Sequence, residues 1–152
     1  MNLFGMIDQS GGAMQAERMR AEVVAANMAN AETTRTADGT PYQRQHVVFA
    51  AGGGDASFAG QLGNMLSMSQ PGSVGVAPGV HIAAVVKDTA APLKRYDPSH
   101  PDADADGYVS YPDINPLTEM VDLMGATRAY GLNGSAVQAE KSMISSALEI
   151  AK

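Results

Sequence analysis

Hydrophobic residues recur at helical spacing near the C-terminal end of the chain. Residues 115–152 carry one apolar residue every seven positions, at Leu123, Tyr130, Val137 and Ile144. This spacing makes a continuous apolar stripe only if the segment is helical, and it is typical of a coiled-coil seam. The stripe is flanked by Met120, Met124, Met143 and Leu148. Asn115 suits a helix cap and Pro116 the first helical position, so one long helix is predicted.

The N-terminal end has a similar pattern. Its helically spaced apolar residues include Ile7, Met14, Val23, Val24 and Met28. Gly11 and Gly12 interrupt them, and because two glycines cost roughly 2 kcal/mol relative to alanine, a weak point or break is expected there. The polar run around Asn27 and Asn30 is expected to end the helix, since such side chains compete for backbone hydrogen bonds.

The middle of the chain has the alternating pattern of short strands. Residues 42–49 and 80–86 alternate, and further short strands are expected after Pro92 and in residues 107–111. Residues 52–79 contain eight glycines, which predicts a mobile loop, with a short helix around Leu62 and Met65 inside it. The predicted fold is therefore α+β. Helical segments 1–34 and 115–152 pair in a coiled-coil-like arrangement, and a small antiparallel β domain, 35–114, lies between them.

Composition excludes several classes of function. The net charge is -6 and no basic run occurs, so a nucleic-acid groove is not expected. No apolar stretch is long enough to span a membrane, and the first residues lack the basic region of a cleaved signal peptide. Cysteine is absent, which removes disulfides and thiolate metal sites.

One local motif has the spacing of a calcium loop, within residues 102–113. The matching residues are Asp102, Asp104, Asp106, Gly107, Ser110 and Asp113. The twelfth position is Asp rather than the usual bidentate Glu, and the nearby prolines forbid the flanking helices of an EF-hand. A solvated acidic turn is the simpler interpretation. A calcium-responsive binding module remains as an alternative function.

No other chemistry is indicated by the sequence. His46, His81 and His100 are isolated and lack metal-ligand spacing. The nucleophile elbow, the P-loop and the dinucleotide fingerprint are all missing. We therefore predict a protein that is not an enzyme and has no catalytic, cofactor-binding or metal-binding residues.

Four separate motifs stand out in the chain. They are AANMANAETT at 25–34, PYQR at 41–44, YDPSHPDADADGYV at 96–109, and EMVDLM at 119–124 with RAY at 128–130 and KSM at 141–143. Together they resemble motifs of the bacterial flagellar axial proteins, and most closely the proximal-rod type of flagellar basal-body rod protein. The first is similar to the Asn-x-Ala-Asn-x-x-Thr signature that closes the N-terminal helix in that superfamily. Gly131 and Gly134 depart from the better helix formers of the family.

The resemblance implies a structural subunit that assembles with copies of itself and with other rod proteins. It implies export by the flagellar type III apparatus without a cleaved signal, a place in the periplasmic rod that transmits torque, and no small-molecule substrate, nucleic acid or membrane insertion. A hook or distal-rod subunit is the alternative within the superfamily. The resemblance gives the Asp-rich turn no metal role.

The two apolar stripes and the signature asparagines are the predicted assembly residues. They are Ile7, Met14, Val23, Val24, Asn27, Met28, Asn30, Met120, Leu123, Met124, Tyr130, Val137, Ile144 and Leu148. One partner helix would not bury all the large apolar side chains of residues 3–31. We therefore expect that segment to be partly unfolded in the single chain and ordered by several neighbours.

Overall fold

Two long helices account for most of the regular structure. A computed structural model describes residues 3–51 and 79–150. The first helix, α1, spans Leu3–Ala29, and the second, α2, spans Pro116–Ile150. At 1.5 Å per residue, the 35 residues of α2 extend about 52 Å. Across the described residues, neither helix has an apolar stretch that could cross a membrane.

Local side-chain hydrogen bonds are present at the start of α2 and at the end of α1, close to the boundaries that the sequence predicts. The Asn115 Oδ1 atom accepts a hydrogen bond from the Leu117 amide at 3.0 Å, and Pro116 follows as the first helical residue, where its missing amide hydrogen costs nothing. At the end of α1, the Asn30 side-chain amide donates to the Ala26 carbonyl at 2.8 Å. The same carbonyl also accepts the Asn30 backbone amide at 3.1 Å, so both donors of Asn30 close the last turn of the helix.

The strands form two separate two-stranded sheets. Strand β1 (Gln45–Ala51) pairs with β2 (Val80–Lys87), and β3 (Leu93–Tyr96) pairs with β4 (Tyr108–Tyr111). The second sheet is antiparallel, with Tyr96 opposite Tyr108. The α+β class is confirmed. The predicted single β unit instead consists of these two sheets within the described part of the chain.

The first strand begins three residues later than its alternating pattern predicts. Residues 42–44 are engaged in other contacts, because the Tyr42 amide donates to the Thr33 carbonyl at 3.1 Å and its hydroxyl donates to Asn27 at 3.2 Å. Arg44 contributes its carbonyl to a 2.7 Å bond from the Asp88 amide. The PYQR motif thus ties the turn after α1 to the start of β1.

The predicted break at Gly11 and Gly12 is wrong, because α1 is continuous through both residues, while a weak point there stays a prediction. A Cβ built at Gly12 would lie 3.4 Å from the Val80 carbonyl oxygen of β2, and one built at Gly11 would meet nothing within 4 Å. Helix α2 likewise continues through Gly131 and Gly134. A Cβ at Gly134 would lie 3.9 Å from the Met14 Cε atom of α1. These are ordinary contact distances, so close packing does not require glycine at these positions. The long helices tolerate a cost of roughly 1 kcal/mol per glycine.

The described chain divides into two compact units. One contains residues 3–17, 49–51, 79–83 and 129–150, and the other contains residues 18–48 and 84–128. Each helix contributes to both units. The predicted short helix around Leu62 and most of the predicted loop 52–79 lie outside the described residues. The predicted segment boundaries, 1–34, 35–114 and 115–152, stay a prediction.

Candidate functional site

A buried asparagine near the end of α1 joins three parts of the unit formed by residues 18–48 and 84–128. The Asn27 side chain is 1% exposed. Its Nδ2 atom donates to the Gln45 carbonyl at 2.9 Å and to the Glu119 Oε2 atom at 3.1 Å. Its Oδ1 atom accepts from the Gln45 amide at 2.9 Å and from the Tyr42 hydroxyl at 3.2 Å. One amide therefore connects α1, β1 and α2.

The carboxylate of Glu119, in the first turn of α2, is the charged centre of this site. Glu119 is also 1% exposed, and its Oε1 atom accepts from Arg44 Nε at 2.6 Å and from Arg44 Nη2. A buried carboxylate without partners would cost several kcal/mol. The guanidinium of Arg44, the amide of Asn27 and the positive end of the helix dipole together offset that cost.

A second carboxylate extends the cluster along α2. Asp122 Oδ1 lies 3.1 Å from Arg20 Nη2 of α1, and its Oδ2 atom lies 3.9 Å from Arg44 Nη2. Two carboxylates thus face two guanidinium groups, which balances the charge. We call these six residues the junction network: Arg20, Asn27, Tyr42, Arg44, Glu119 and Asp122.

The hydroxyl of Tyr42 is held in its neutral form by this network. Burial raises the pKa of Tyr42, and the negative charge of Glu119 raises it further. A protonated hydroxyl is what the contact needs, because Tyr42 donates its proton to Asn27 Oδ1. The network therefore acts by connecting and orienting elements.

The rest of the AANMANAETT motif connects α1 to the Asp-rich turn. Thr33 Oγ1 donates to Asn30 Oδ1 at 3.2 Å, which fixes the turn after the helix. Thr34 Oγ1 donates to Asp102 Oδ2 at 2.8 Å, and Arg35 Nη1 lies 3.5 Å from Asp102 Oδ1. The motifs at 25–34, 41–44, 96–109 and 119–124 therefore meet in one unit.

The Asp-rich turn is held together by its own side chains. Asp104 Oδ1 accepts from the Asp106 amide at 3.0 Å and from the Tyr108 amide at 2.8 Å. Asp97 Oδ1 accepts from the Ser99 hydroxyl at 2.7 Å, and this bond is the main reason that the pKa of Asp97 is lowered. Gly107 has φ +81°, a left-handed conformation that favours glycine. The turn is a preorganised connection between β3 and β4.

This geometry does not favour the calcium alternative. The oxygens that a calcium loop would use at Asp102 and Asp104 already accept hydrogen bonds from Thr34 and from the backbone of the turn. No group of three or more acidic or histidine side chains is arranged to hold a metal in residues 3–51 and 79–150. The acidic residues are better explained as the caps of a tight turn.

The structure separates the predicted assembly residues by exposure. Val24 and Asn27 are buried. The half-buried residues are Ile7, Met14, Val23, Met28, Asn30, Leu123, Val137 and Ile144. Four residues are exposed, namely Met120, Met124, Tyr130 and Leu148. Met120 and Met124 thus belong to an uncovered row of α2, where the sequence pattern suggested one broad stripe. Leu123, Val137 and Ile144 belong to a partly covered row, which also includes the exposed Tyr130 and Leu148.

Five residues of the junction network were not among the predicted site residues, namely Arg20, Tyr42, Arg44, Glu119 and Asp122. Tyr42 and Arg44 belong to the PYQR motif, and Glu119 and Asp122 belong to the EMVDLM motif, but neither motif indicated a contact. One signal could have revealed Glu119. Glu119 is the first residue of a heptad series on α2, in which Ala126, Asn133 and Glu140 follow at intervals of seven. Glu119, Ala126 and Glu140 are buried, and Asn133 is half-buried. A polar residue at the first position of a buried heptad series is a candidate for a buried hydrogen-bonded contact.

Comparison with known proteins places the same motifs in one family. A profile described as "Flagella basal body rod protein" matches residues 7–35, and one described as "Flagellar basal body rod FlgEFG protein C-terminal" matches residues 105–150. The chain is similar to "Flagellar basal-body rod protein FlgC" of Borreliella burgdorferi, with 39% identity over 99% of this chain and 98% of the relative. FlgC of Bacillus subtilis is 38% identical over the full length of both chains. FlgC of Salmonella typhimurium is 33% identical over 95% of this chain and 94% of the relative.

Proposed function

Because this chain belongs to the flagellar basal-body rod protein family, we propose that its two terminal helices are the parts through which it is built into the rod. The chain is a structural subunit of the basal-body rod, of the FlgC type. The finer proposal concerns how that subunit makes its contacts. It follows from the division of α2 into a partly covered row and an uncovered row.

The uncovered row of α2 is the observation that carries the proposal. Its exposed apolar residues, which share one side of a helix with 3.6 residues per turn, are Leu117, Met120, Val121, Met124, Leu132, Met143 and Ile150. Leu117 is 70% exposed, Met124 58% and Leu132 66%. Monomeric soluble proteins rarely leave so many neighbouring large apolar side chains in water, and such surfaces mark contacts with other proteins. We infer that neighbouring rod subunits cover this row.

The partly covered row serves the pairing of helices within the subunit. Leu123, Val137 and Ile144 are half-buried. Contacts between the helices occur in each unit, through the Asn27 to Glu119 hydrogen bond in one and the approach of Met14 to Gly134 in the other. A coiled-coil-like pairing of α1 and α2 is the arrangement we propose from these contacts and the heptad spacing.

The junction network would carry force from the helices to the β strands. Asn27 and Arg44 link the end of α1 and the start of β1 to Glu119 of α2 through buried, charge-assisted contacts, which resist displacement better than exposed pairs. In this proposal the subunit lies in the proximal, periplasmic rod beside copies of itself and other rod proteins. It is exported by the flagellar type III apparatus without a cleaved signal, transmits torque and acts on no substrate.

A charge placed on the uncovered row tests the proposal. Met124→Asp should leave the urea midpoint of the purified chain nearly unchanged, because Met124 is exposed, and should leave cells without complete rods or swimming. Gln138→Asp, an exposed polar position on α2, is the matched control and should swim normally. The measurements are basal-body isolation, swimming and the amount of exported subunit. Normal rods with Met124→Asp would contradict the assignment of this row to subunit contacts.

Neither a calcium-responsive binding module nor a hook or distal-rod subunit is favoured as the function of this chain. The calcium module is not favoured, because the chain belongs to a rod protein family and the acidic oxygens of residues 102–106 cap their own turn. A hook or distal-rod subunit is not favoured either, because the relatives that match over nearly the whole chain are named FlgC.

A further inference from the structure

A second buried glutamate lies on α2 and lacks the partners that Glu119 has. Glu140 is 4% exposed, and its Oε2 atom is buried and accepts no hydrogen bond within the described chain. It belongs to the unit that contains residues 129–150. Natural proteins pair nearly all buried polar atoms, so each exception calls for an explanation.

The two glutamates occupy the same heptad position. They are three heptads apart in the sequence, with Ala126 and Asn133 between them at the same heptad position. The Glu119 carboxylate accepts hydrogen bonds from a guanidinium and from a side-chain amide. The buried Oε2 atom of Glu140 needs a donor too, and it has none among residues 3–51 and 79–150.

We propose that Glu140 is an assembly acceptor, a carboxylate that is unmatched in the single subunit and that receives a cationic side chain from a neighbouring rod subunit. The proposal rests on the proposed function. The occupant follows from charge complementarity, because an arginine or lysine supplies the donors that a buried carboxylate needs. Because the Oε2 atom is buried in the single chain, the Glu140 side chain must turn toward the helix surface on assembly to meet this cation. Residues 129–150 then gain stability from assembly.

The proposal predicts opposite effects for the two glutamates in the purified full-length chain. Glu140→Gln removes a buried charge that has no partner, so amide exchange in residues 129–150 should slow by about tenfold. Glu119→Gln weakens a satisfied charge pair, so exchange in residues 116–128 should accelerate by at least as much. Faster exchange with Glu140→Gln would show that the carboxylate is already stabilised within the subunit and would overturn the proposal.

The second readout is assembly of the Glu140→Gln variant in cells. The acceptor role predicts that this better folded chain gives fewer complete rods, because the neighbour's cation loses its counter-charge. The Glu140→Asp variant keeps the negative charge, so it should give more complete rods than Glu140→Gln does. Full assembly with Glu140→Gln would overturn the acceptor role but leave the proposed function intact, since that function is tested separately by Met124→Asp.

Discussion

The side chain of Asn27 uses all of its hydrogen-bonding capacity at one buried point. Its amide has two donors and an oxygen with two lone pairs, and the four contacts go to Glu119, Tyr42 and both backbone groups of Gln45. An aspartate would lose the two donors and place a second negative charge beside Glu119. An apolar residue of similar size would leave all four partners unpaired. Only an amide fits this position.

Removing the Asn27 side chain should therefore be costly. We expect Asn27→Ala to lower the free energy of unfolding by about 3 kcal/mol, because Glu119 and the Gln45 backbone lose buried partners. Asn30→Ala is the matched control, since Asn30 lies in the same motif but makes a local, exposed bond to Ala26, and it should cost less than about 1 kcal/mol. Urea unfolding of the purified variants provides the measurement. Equal costs would mean that the buried network adds nothing beyond a helix cap.

The helices and the turn use glycine for different physical reasons. Within the described residues, φ is positive only at Gly39 and Gly107. At Gly107 an added Cβ would also lie 2.9 Å from Tyr96 Cε2 and 3.3 Å from Pro98 Cβ. Gly131 has ordinary helical geometry, and an added Cβ would meet nothing within 4 Å. The turn therefore requires glycine at position 107, whereas Gly131 lowers the stability of its helix.

Alanine substitutions should separate these two kinds of glycine. Gly131→Ala should raise the free energy of unfolding by about 0.5–1 kcal/mol, because alanine loses less backbone entropy in a helix. Gly107→Ala should lower it by about 2 kcal/mol, through the unfavourable φ and the contact with Tyr96. Gly39→Ala isolates the φ effect, since no atom lies within 4 Å of its added Cβ. Thermal unfolding gives all three values. A destabilised Gly131→Ala would indicate a contact that requires glycine there.

At the scale of the whole molecule, the two parts of α1 differ in what holds them. Residues 18–29 are fixed by Arg20 and Asn27, which bond to α2 and β1 within one unit. Residues 3–17 belong to the other unit, where Met14 of α1 lies near Gly134 of α2 in an apolar contact. Apolar contacts of a single helix pair are easily opened. We therefore predict that residues 3–17 open more readily in the single chain than residues 18–29 do.

Amide exchange on the single subunit should reveal this difference. At micromolar concentration we expect residues 3–17 to exchange at least about tenfold faster than residues 18–29, because the junction network protects only the second segment. In intact basal bodies both segments should be protected. Uniform full protection of residues 3–29 in the dilute chain would rule out ordering by assembly. Asn27→Ala serves as the control, since it should remove protection from residues 18–29 alone.

The sequence predicted the elements well where short-range physics decides them. Heptad spacing, the Asn115 cap and Pro116 predict α2 to within one residue of its start, and the alternation of residues 80–86 predicts β2. These features depend on contacts between residues that are close in the chain. The same local reasoning failed to predict a continuous helix at Gly11 and Gly12, because most of the stability of a helix in a protein comes from tertiary packing and not from the propensity of single residues.

The sequence by itself determined the α+β class, the two terminal helices and, through four motifs, the family. Only the tertiary structure decided that those motifs meet in one place, that Glu119 is a buried anchor and that Glu140 is a buried glutamate without the same partners. It also decided which apolar residues of α2 remain uncovered. The reason is physical: burial and pairing of a charge depend on residues about 75 to 92 positions away, and no local pattern records them.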